Sequence, residues 1–383
     1  MKILFVINNF YVAGNGMSAS ARRTVAYLKE AGQEVRVLSG PNPETGGHQP
    51  EFLLKELSLW PFNSIIRSSG FRYAKTDRAV IREAVAWADV VHLEEAFPLE
   101  ISVRKEAARQ GVPCTATYHI QPENIFSSLL LGRWKLPNRL LLKSWQHMVY
   151  DYCSDIQCPT PLVRDRLASE GFKARLHVIS NGVVQDPCTR KWDAPAVEDA
   201  PFTILCIGRL AREKDQFTLL RAMRHVRHAG SVRLFFAGQG PSARGMKRCA
   251  MKLYRDGILS RPPEFQFCDR DTLRSLAAGS QLLVHCANVE VEGLSVLEAL
   301  QQGIVPVIAK GRLCATSQFA LDERSIFPEG DEKALAQRID YWMEHPEERD
   351  RTGRRYVEEA ARYDIRESTR QLLEMFATAS AGK

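Results

Sequence analysis

Two glutamates eight positions apart, Glu290 and Glu298, are well suited by type and spacing to hold a ligand that carries hydroxyl groups. Carboxylates accept hydrogen bonds from hydroxyls such as those of a sugar or a ribose. Between them, the backbone N–H groups of Gly293, Leu294 and Ser295 open a predicted helix, and a helix N-terminus favours an anion. The pattern therefore indicates a site for a ligand with hydroxyl and anionic groups, as in a nucleotide sugar. The alternative is that Glu290 and the neighbouring Glu292 are solvated loop charges and Glu298 is a surface charge on the helix.

Two cations, Arg209 and Lys214, follow an apolar run that ends at Gly208. The run 202–207 predicts a buried strand, so both cations fall in the loop after its carboxyl end. Two fixed cations can neutralise a departing diphosphate, which makes a phosphate clamp the functional interpretation. The alternative is an ordinary solvated loop, because such loops often carry Arg and Lys.

A strand–helix–strand unit must position the paired glutamates. Residues 282–284 predict a buried strand, residues 294–302 a helix that Gly303 ends, and residues 305–308 the next strand. The helix begins at the carboxyl end of a strand, where open α/β sheets bind their ligands.

The chain opens with a similar pattern. Residues 3–7 predict a strand and residues 18–31 a helix, with Gly14 and Gly16 in the loop between them. A phosphate-cradling loop is one interpretation and an ordinary turn is the other. An NAD-binding fingerprint is excluded, because the third glycine and the acid after the second strand, 34–39, are missing.

His119 follows a further predicted strand, 112–118. A single histidine is usually structural, but one at the carboxyl end of a strand in an α/β sheet is a better candidate for function. His119 is therefore a candidate site residue.

The stretch from Phe126 to Lys143 combines apolar and basic side chains and contains no acid. A helix predicted from Asn138 places Leu141, Trp145, Met148 and Tyr152 on one face. Such a surface suits a membrane interface, or it packs on its own domain. The candidate acceptor patch comprises Phe126, Leu130, Arg133, Trp134, Lys135, Arg139 and Lys143.

Length and composition narrow the class of protein. A chain of 383 residues suits two α/β domains, and no apolar run is long enough to span a membrane. The nine cysteines form no CxxC pair, which favours reduced core residues and a cytoplasmic setting. The net charge of +7 is compatible with nucleic acid, anionic lipid or phosphate-bearing substrates. No nucleic-acid recognition motif is present, so nucleic acid is the least supported partner.

Taken together, these motifs resemble glycosyltransferase family 4. The resemblance rests on Glu290 and Glu298 around Gly293, on Gly208-Arg209-Leu210 followed by Lys214, and more weakly on the glycine loop and on Thr117-Tyr118-His119. It implies the GT-B fold: two Rossmann-like α/β domains facing each other across a cleft, with a C-terminal helix that returns to the first domain. We expect domains at 1–184, with the helix 366–383 packing back, and at 185–365.

The resemblance also implies roles for individual residues. Arg209 and Lys214 would bind the diphosphate, Glu290 the donor sugar, Glu298 the ribose, and His119 a sugar hydroxyl or the acceptor. Gly14 and Gly16 would approach the diphosphate, as would the helix start at Gly293, Leu294 and Ser295. The family needs neither a metal nor another cofactor.

The function expected from this resemblance is retaining transfer of a hexose from UDP-glucose or UDP-galactose to an acceptor hydroxyl. The patch resembles the surface of bacterial family members that glycosylate diacylglycerol, which favours a lipid acceptor and peripheral binding to the inner face of the plasma membrane. The alternatives are a soluble saccharide or polysaccharide precursor as acceptor, an epimerase of the same fold, or a non-catalytic nucleotide-sugar-binding protein.

Overall fold

The computed structural model describes residues 1–12, 15–44, 46–58, 60, 63, 72–128, 134–192 and 200–382. The chain forms two compact units. Unit 1 comprises Met1–Gly182 and Ile365–Lys383, and unit 2 comprises Val183–Asp364. The chain leaves unit 1 two residues before the predicted boundary at 184, and it returns one residue before the predicted start of the last helix.

Unit 1 is a parallel sheet flanked by helices. Its strands pair in the order β3-β2-β1-β4-β5-β6-β7, and the pairs are parallel. The strands are β1 Lys2–Val6, β2 Glu34–Ser39, β3 Phe52–Leu53, β4 Val90–Leu93, β5 Cys114–Thr117, β6 Asp155–Cys158 and β7 Arg175–Val178. The helices are α1 Gly16–Glu30, α2 Arg78–Trp87, α3 Pro98–Gln110, α4 Pro122–Ser128, α5 Lys135–Met148 and α6 Pro161–Ser169. The last helix of the chain, α13 Ile365–Ala381, also belongs to unit 1.

The core of unit 1 explains this assignment of α13. Leu372, Met375 and Phe376 of α13 are buried in one apolar cluster with Ile3 and Phe5 of β1. A parallel strand covered on both faces carries a continuous apolar run, and β1 has this pattern. The helix begins one residue before the predicted start at 366 and ends two residues before 383, and its buried positions continue to Ala379.

Unit 2 repeats the architecture. Its main sheet has the order β10-β9-β8-β11-β13-β15, and β12 and β14 form a small second sheet. The strands are β8 Phe202–Ile207, β9 Val232–Ala237, β10 Glu264–Gln266, β11 Leu282–His285, β12 Val289–Glu290, β13 Val305–Lys310, β14 Leu313–Cys314 and β15 Ile326–Pro328. The helices are α7 Gln216–Ala222, α8 Ala243–Arg255, α9 Arg270–Gly279, α10 Leu294–Leu300, α11 Glu332–Glu344 and α12 Pro346–Ala360.

Each main sheet contains a point where the strand order reverses. In unit 1 it lies between β1 and β4, and in unit 2 between β8 and β11. Ligands of doubly wound sheets bind outside the carboxyl ends of the strands at such a point. In each unit, the carboxyl ends of the strands at the reversal point are therefore the expected position of a site.

The cysteines are all free, and seven of the nine are buried. Burial raises the pKa of the Cys206 thiol to about 12 and that of Cys114 to about 12. Such thiols behave as small core residues, as the sequence indicated.

Candidate active site

The loop after β8 carries the two predicted cations. Gly208, with a φ of 133°, ends the strand, and Arg212–Lys214 forms a short 3₁₀ turn before α7. The guanidinium of Arg209 pairs with the buried carboxylate of Glu213, and Gln216 Nε2 donates to the Arg209 carbonyl at 2.8 Å. Arg209 is thus held from both its side chain and its backbone, and its side chain keeps 38% of its surface exposed.

Two glycines after β9 hold this loop in place. A Cβ on Gly238 would lie 2.0 Å from the Gly208 carbonyl oxygen, and one on Gly240 would lie 2.4 Å from the Leu210 carbonyl oxygen. The close approach allows Leu210 N–H to donate to the Gln239 carbonyl at 3.0 Å. Glycine is required where two backbones meet so closely, and here it fixes the position of Arg209.

Lys214 reaches the second predicted motif. Its ammonium pairs with Glu290 Oε2, and both side chains are 18% exposed. Lys214 follows β8 and Glu290 lies in β12 after β11, so the contact spans the reversal point of unit 2. Burial alone would raise the pKa of Glu290, but Lys214 and His285 more than offset this and lower it. Glu290 is therefore ionised.

His285, the last residue of β11, lies below this ion pair with Nε2 3.7 Å from Glu290 Oε2. Burial lowers its pKa to about 4, so the ring is neutral at pH 7. His285 was not predicted as a site residue from the sequence. Its place at the carboxyl end of a buried strand, like that of His119, is the signal that could have found it.

Gly293 begins the helix that follows Glu290. Its φ is 90°, and a Cβ there would lie 2.1 Å from Thr316 Cγ2. The helix α10 covers Leu294–Leu300 and ends two residues before the predicted end at 302; Ser295 and Glu298 are half-buried on it. The alternative of solvated loop charges fails for Glu292, which is 3% exposed, and for Glu290. The predicted ligand contacts of Leu294, Ser295 and Glu298 stay predictions.

The glycine loop of unit 1 is described only in part. Gly14 lies outside the described residues. Asn15 caps α1 by accepting hydrogen bonds from Met17 N–H at 3.0 Å and Ser18 N–H at 3.3 Å, so Gly16 is the first helical residue rather than a loop residue. The role of this loop toward a diphosphate stays a prediction.

His119 lies two residues beyond the end of β5, which is shorter than the predicted strand 112–118. Its Nε2 is 2.7 Å from Glu94 Oε2, and the Glu94 side chain is 4% exposed. His92 Nε2 lies 3.0 Å from the other oxygen of the same carboxylate. Burial opposes ionisation of Glu94, but His119 and His92 outweigh it and lower its pKa to about 2. One carboxylate anion therefore lies between two imidazoles.

Two further carboxyl groups lie beside this one. Glu95 Oε2 accepts hydrogen bonds from the backbone and side-chain nitrogens of Asn8 at 2.7 and 2.8 Å, and Asn8 also donates to Glu100 at 3.1 Å. Burial raises the pKa of Glu95 to about 7 and, with the Glu95 charge, raises that of Glu100. Neither acid was predicted as a site residue from the sequence. The pair Glu94-Glu95 directly after a buried strand was the available signal.

The acceptor patch is partly described, since Leu130 and Arg133 lie outside the described residues. Phe126 lies in α4, and α5 begins at Lys135 rather than at the predicted Asn138. The predicted apolar face was wrong for Met148 and Tyr152, which are exposed. The buried face of α5 instead holds Asn138, Leu142, Trp145 and Gln146.

The exposed side of the patch combines both predicted kinds of side chain. Trp134 is 62% exposed, and Leu136 and Leu140, which were not among the predicted residues, extend the patch and are 69 and 62% exposed. Lys135 and Arg139 are exposed beside them, with Arg139 Nε 3.4 Å from Glu170. Lys143 is not a free surface cation, because its ammonium contacts the Glu170 carbonyl and Gln146 Oε1.

Two structural findings concern metals and membranes. Among the residues that the structure describes, no group of three or more His, Cys, Asp or Glu side chains is arranged to hold a metal ion. Within the same ranges, no helix is both long enough and apolar enough to cross a bilayer.

Models of two glycosyltransferase families match the chain. The model described as Glycosyltransferase Family 4 matches residues 14–186, and the model described as Glycosyl transferases group 1 matches residues 190–358. The two matches follow the division into unit 1 and unit 2. No curated protein sequence matches the chain significantly.

Solved structures share the fold over the whole chain. HepE from Anabaena, in complex with UDP and glucose, has a TM-score of 0.72 at 14% identity and covers 99% of this chain and 100% of that chain. Sucrose-phosphate synthase from Thermosynechococcus elongatus has a TM-score of 0.73 at 14% identity, with 100% of both chains covered. The catalytic domain of cholesterol-α-glucosyltransferase from Helicobacter pylori is 39% identical over 43% of this chain and 99% of that chain, but its TM-score of 0.40 supports no structural inference.

Two parallel α/β units, each with charged groups gathered where its strand order reverses, define a protein of the GT-B fold class. The chain carries a family 4 glycosyltransferase domain followed by a group 1 glycosyltransferase domain, and it is a glycosyltransferase.

Proposed function

We propose that the protein is a retaining glycosyltransferase that moves a hexose from an NDP-sugar, UDP-glucose or UDP-galactose, to a hydroxyl of a membrane lipid such as diacylglycerol. The observation that carries the donor half of this proposal is the ion pair of Lys214 with Glu290 at the reversal point of unit 2. It brings a cation for a diphosphate and a carboxylate for sugar hydroxyls into contact at a ligand-binding edge.

The chemistry is a substitution at the anomeric carbon. The bond from that carbon to the acceptor oxygen forms, and the bond to the diphosphate oxygen breaks. Attack from the face of the leaving group keeps the anomeric configuration, and the acceptor proton passes to the departing diphosphate. Because negative charge develops on the diphosphate, fixed cations beside it lower the barrier.

Arg209 and Lys214 supply these cations in the proposed reaction. Each charge-assisted hydrogen bond contributes about 1.5–3 kcal/mol. Glu213 already orients Arg209, so little rearrangement is needed when the diphosphate binds. Lys214 exchanges part of its contact with Glu290 for the diphosphate, and Glu290 then accepts hydrogen bonds from the sugar.

The remaining donor contacts follow the resemblance to family 4. Glu298 binds the ribose, and the backbone N–H groups of Gly293, Leu294 and Ser295 face the diphosphate together with the loop of Gly14 and Gly16. His119 binds a sugar hydroxyl or lines the acceptor. HepE has been solved with UDP and glucose, which supports the choice of a UDP-hexose donor. No cofactor or metal is required in this scheme.

The acceptor half of the proposal rests on the exposed side of the patch. Trp134, Leu136 and Leu140 present apolar surface beside Lys135 and Arg139. Near an anionic leaflet each cation contributes about 1 kcal/mol, and inserted apolar side chains add to this. Reversible binding to the inner face of the plasma membrane would bring the enzyme to a lipid hydroxyl.

The experiment that tests the donor and acceptor together is incubation with a panel of NDP-sugars and total lipid, followed by mass spectrometry. We expect a hexosylated, solvent-extractable product with one of the UDP-hexoses, and NMR of the product should show the anomeric configuration of the donor. Inversion would contradict the retaining mechanism. Label found only in water-soluble saccharide would replace the lipid acceptor by a soluble one.

Vesicle flotation tests the patch. Replacing Trp134 and Leu140 together by Ala should reduce binding to vesicles that contain anionic lipid. Phe267→Ala is the matched control, because Phe267 is 55% exposed in unit 2, outside the patch. Equal flotation of both variants, or equal flotation of the wild type on neutral and anionic vesicles, would contradict the role given to the patch.

A further inference from the structure

A continuous chain of hydrogen bonds runs through the sheet of unit 1 and ends at His119. It begins at the Ile179 carbonyl, which accepts from Gln157 Nε2 at 3.0 Å. Gln157 Oε1 lies 2.8 Å from Thr117 Oγ1, and Thr117 Oγ1 lies 2.9 Å from His92 Nε2. His92 Nε2 then contacts Glu94, whose other oxygen contacts His119.

The direction of every bond in this chain follows from its first link. A carbonyl oxygen only accepts, so the Gln157 amide nitrogen faces Ile179 and its oxygen faces Thr117. The Thr117 hydroxyl must then donate to Gln157, which leaves its oxygen to accept from His92. His92 therefore carries a proton on Nε2, which it shares between Thr117 Oγ1 and Glu94 Oε1.

The last link sets the proton on His119. Glu94 is an anion with two acceptor oxygens, so His119 must carry a proton on Nε2 to contact it at 2.7 Å. The hydrogen bond of one ring nitrogen decides which tautomer a histidine adopts. Gln157, Thr117, His92 and Glu94 are all at most 5% exposed, so water does not compete for these bonds.

We propose that Glu94 is the positioning residue for His119: it fixes the ring orientation and the Nε2–H tautomer, with His92, Thr117 and Gln157 holding Glu94 in turn. The role toward substrate rests on the proposed function of His119, whereas the tautomer does not. A fixed tautomer gives the ring a defined face of donor and acceptor character at the carboxyl edge of the sheet, and orientation of this kind acts on turnover.

Glu94→Gln tests the proposal with little change in volume. A carboxamide has one oxygen, so it cannot accept from both imidazoles. We expect kcat to fall by about tenfold or more, the loss of a hydrogen bond to a charged group, while KM for the donor stays within about twofold. Glu94→Asp keeps the charge and both oxygens and should retain a larger part of kcat.

Asp155→Asn is the matched control. Asp155 is a buried carboxylate that contacts a histidine, His177 Nε2, at 2.7 Å. It lies at the amino end of β6, whereas His119 follows the carboxyl end of β5 in the same sheet. It should lower the melting temperature and leave kcat unchanged. Equal losses of kcat in the Glu94→Gln and Asp155→Asn enzymes would reduce the effect to stability and overturn the proposal.

A second readout does not depend on activity. In protein labelled with ¹⁵N-histidine, the wild type should show an Nε2–H signal that is lost in His119→Gln and is thereby assigned to His119. Glu94→Gln should shift the His119 ring nitrogens, and Asp155→Asn should not. Unchanged His119 signals in Glu94→Gln would overturn the proposal. Absence of transfer by the wild type would instead contradict the proposed function and leave this measurement valid.

Discussion

The reversal points of the two sheets both gather buried carboxyl groups, but they balance the charge differently. In unit 2, Glu290 faces Lys214, and the pKa of Glu290 is lowered, so that this acid is ionised. In unit 1, Glu95 and Glu100 share the side-chain amide of Asn8, and burial raises the pKa of both. Glu94 is the ionised acid there, because two imidazoles face it.

The difference indicates what each edge can do. A paired anion and cation in unit 2 can separate to meet sugar hydroxyls and a diphosphate without a change of protonation. The edge of unit 1 holds two buried acids with raised pKa values, Glu95 and Glu100, and an ionised Glu94 that is paired with two histidines, which suits an uncharged hydroxyl ligand.

The largest expected effect comes from removing a cation at the unit 2 edge. Lys214→Ala or Arg209→Ala should lower kcat by about 10²-fold or more, because a contact to the developing charge of the diphosphate is lost. Arg212→Ala is the control, since Arg212 is exposed in the same turn. Steady-state kinetics check this, and near-normal turnover of both clamp variants would remove the clamp from the mechanism.

The paired glutamates should differ from each other. Glu290→Gln removes a sugar contact and the partner of Lys214, so we expect turnover to fall by about tenfold or more. Glu298→Gln should mainly weaken donor binding, because only a ribose contact is impaired. Donor titration and single-turnover kinetics separate the two. Equal, small effects would show that the eight-residue spacing has no functional meaning.

Much of the unit 2 edge could be predicted from sequence, since its parts are local. Gly208-Arg209-Leu210 follows an apolar strand directly, and Glu290, Gly293 and Glu298 lie within one strand–helix unit. Periodicity then places each motif at a strand end. The contact between Lys214 and Glu290 joins two such motifs, and the order of strands in the sheet, which no local pattern specifies, brings them together.

The unit 1 edge was harder to predict for the same reason. His119 was found from its strand, but Asn8, His92, Glu94 and Gln157 come from β1, β4 and β6 or the residues just after them, and they meet only through sheet pairing.

In helix α5 the apolar pattern gave the wrong face: Tyr152 lies beyond the helix end, and Met148 is its exposed last residue.

Gly293→Ala should destabilise unit 2 by about 3 kcal/mol, because a methyl group would collide with Thr316 while the backbone stays at a positive φ. Gly257→Ala is matched, with a φ of 73° and no atom within 4 Å of the new Cβ. Gly257→Ala should lower the free energy of unfolding by only about 1 kcal/mol, which is the cost of a positive φ for a residue other than glycine. Urea unfolding measures both. A similar loss in the two variants would mean that Thr316 moves aside freely.

The smallest expected effect, and the most direct comparison of the two edges, is the dependence of stability on pH. In unit 1 the pKa of Glu95 rises from its ordinary 4.5 to about 7. The contribution of Glu95 to the stability of the fold is therefore full below pH 4.5 and is lost as pH rises through 7. In unit 2 the pKa of His285 falls from 6.5 to about 4. The contribution of His285 to the stability of the fold is therefore full above pH 6.5 and is lost as pH falls through 4.

Replacing Glu95 and replacing His285 should therefore change the pH dependence of the free energy of unfolding in opposite directions. Relative to the wild type, Glu95→Gln should gain stability between pH 5 and pH 8, since the buried charge is gone. His285→Gln should show the reverse, its largest relative gain lying at pH 5, where the buried wild-type ring resists protonation. Urea unfolding at the two pH values measures both differences. If both variants changed this pH dependence equally and in the same direction, the two edges would not differ in charge balance. Only a neutral acid in unit 1 and a neutral imidazole in unit 2 give changes of opposite sign.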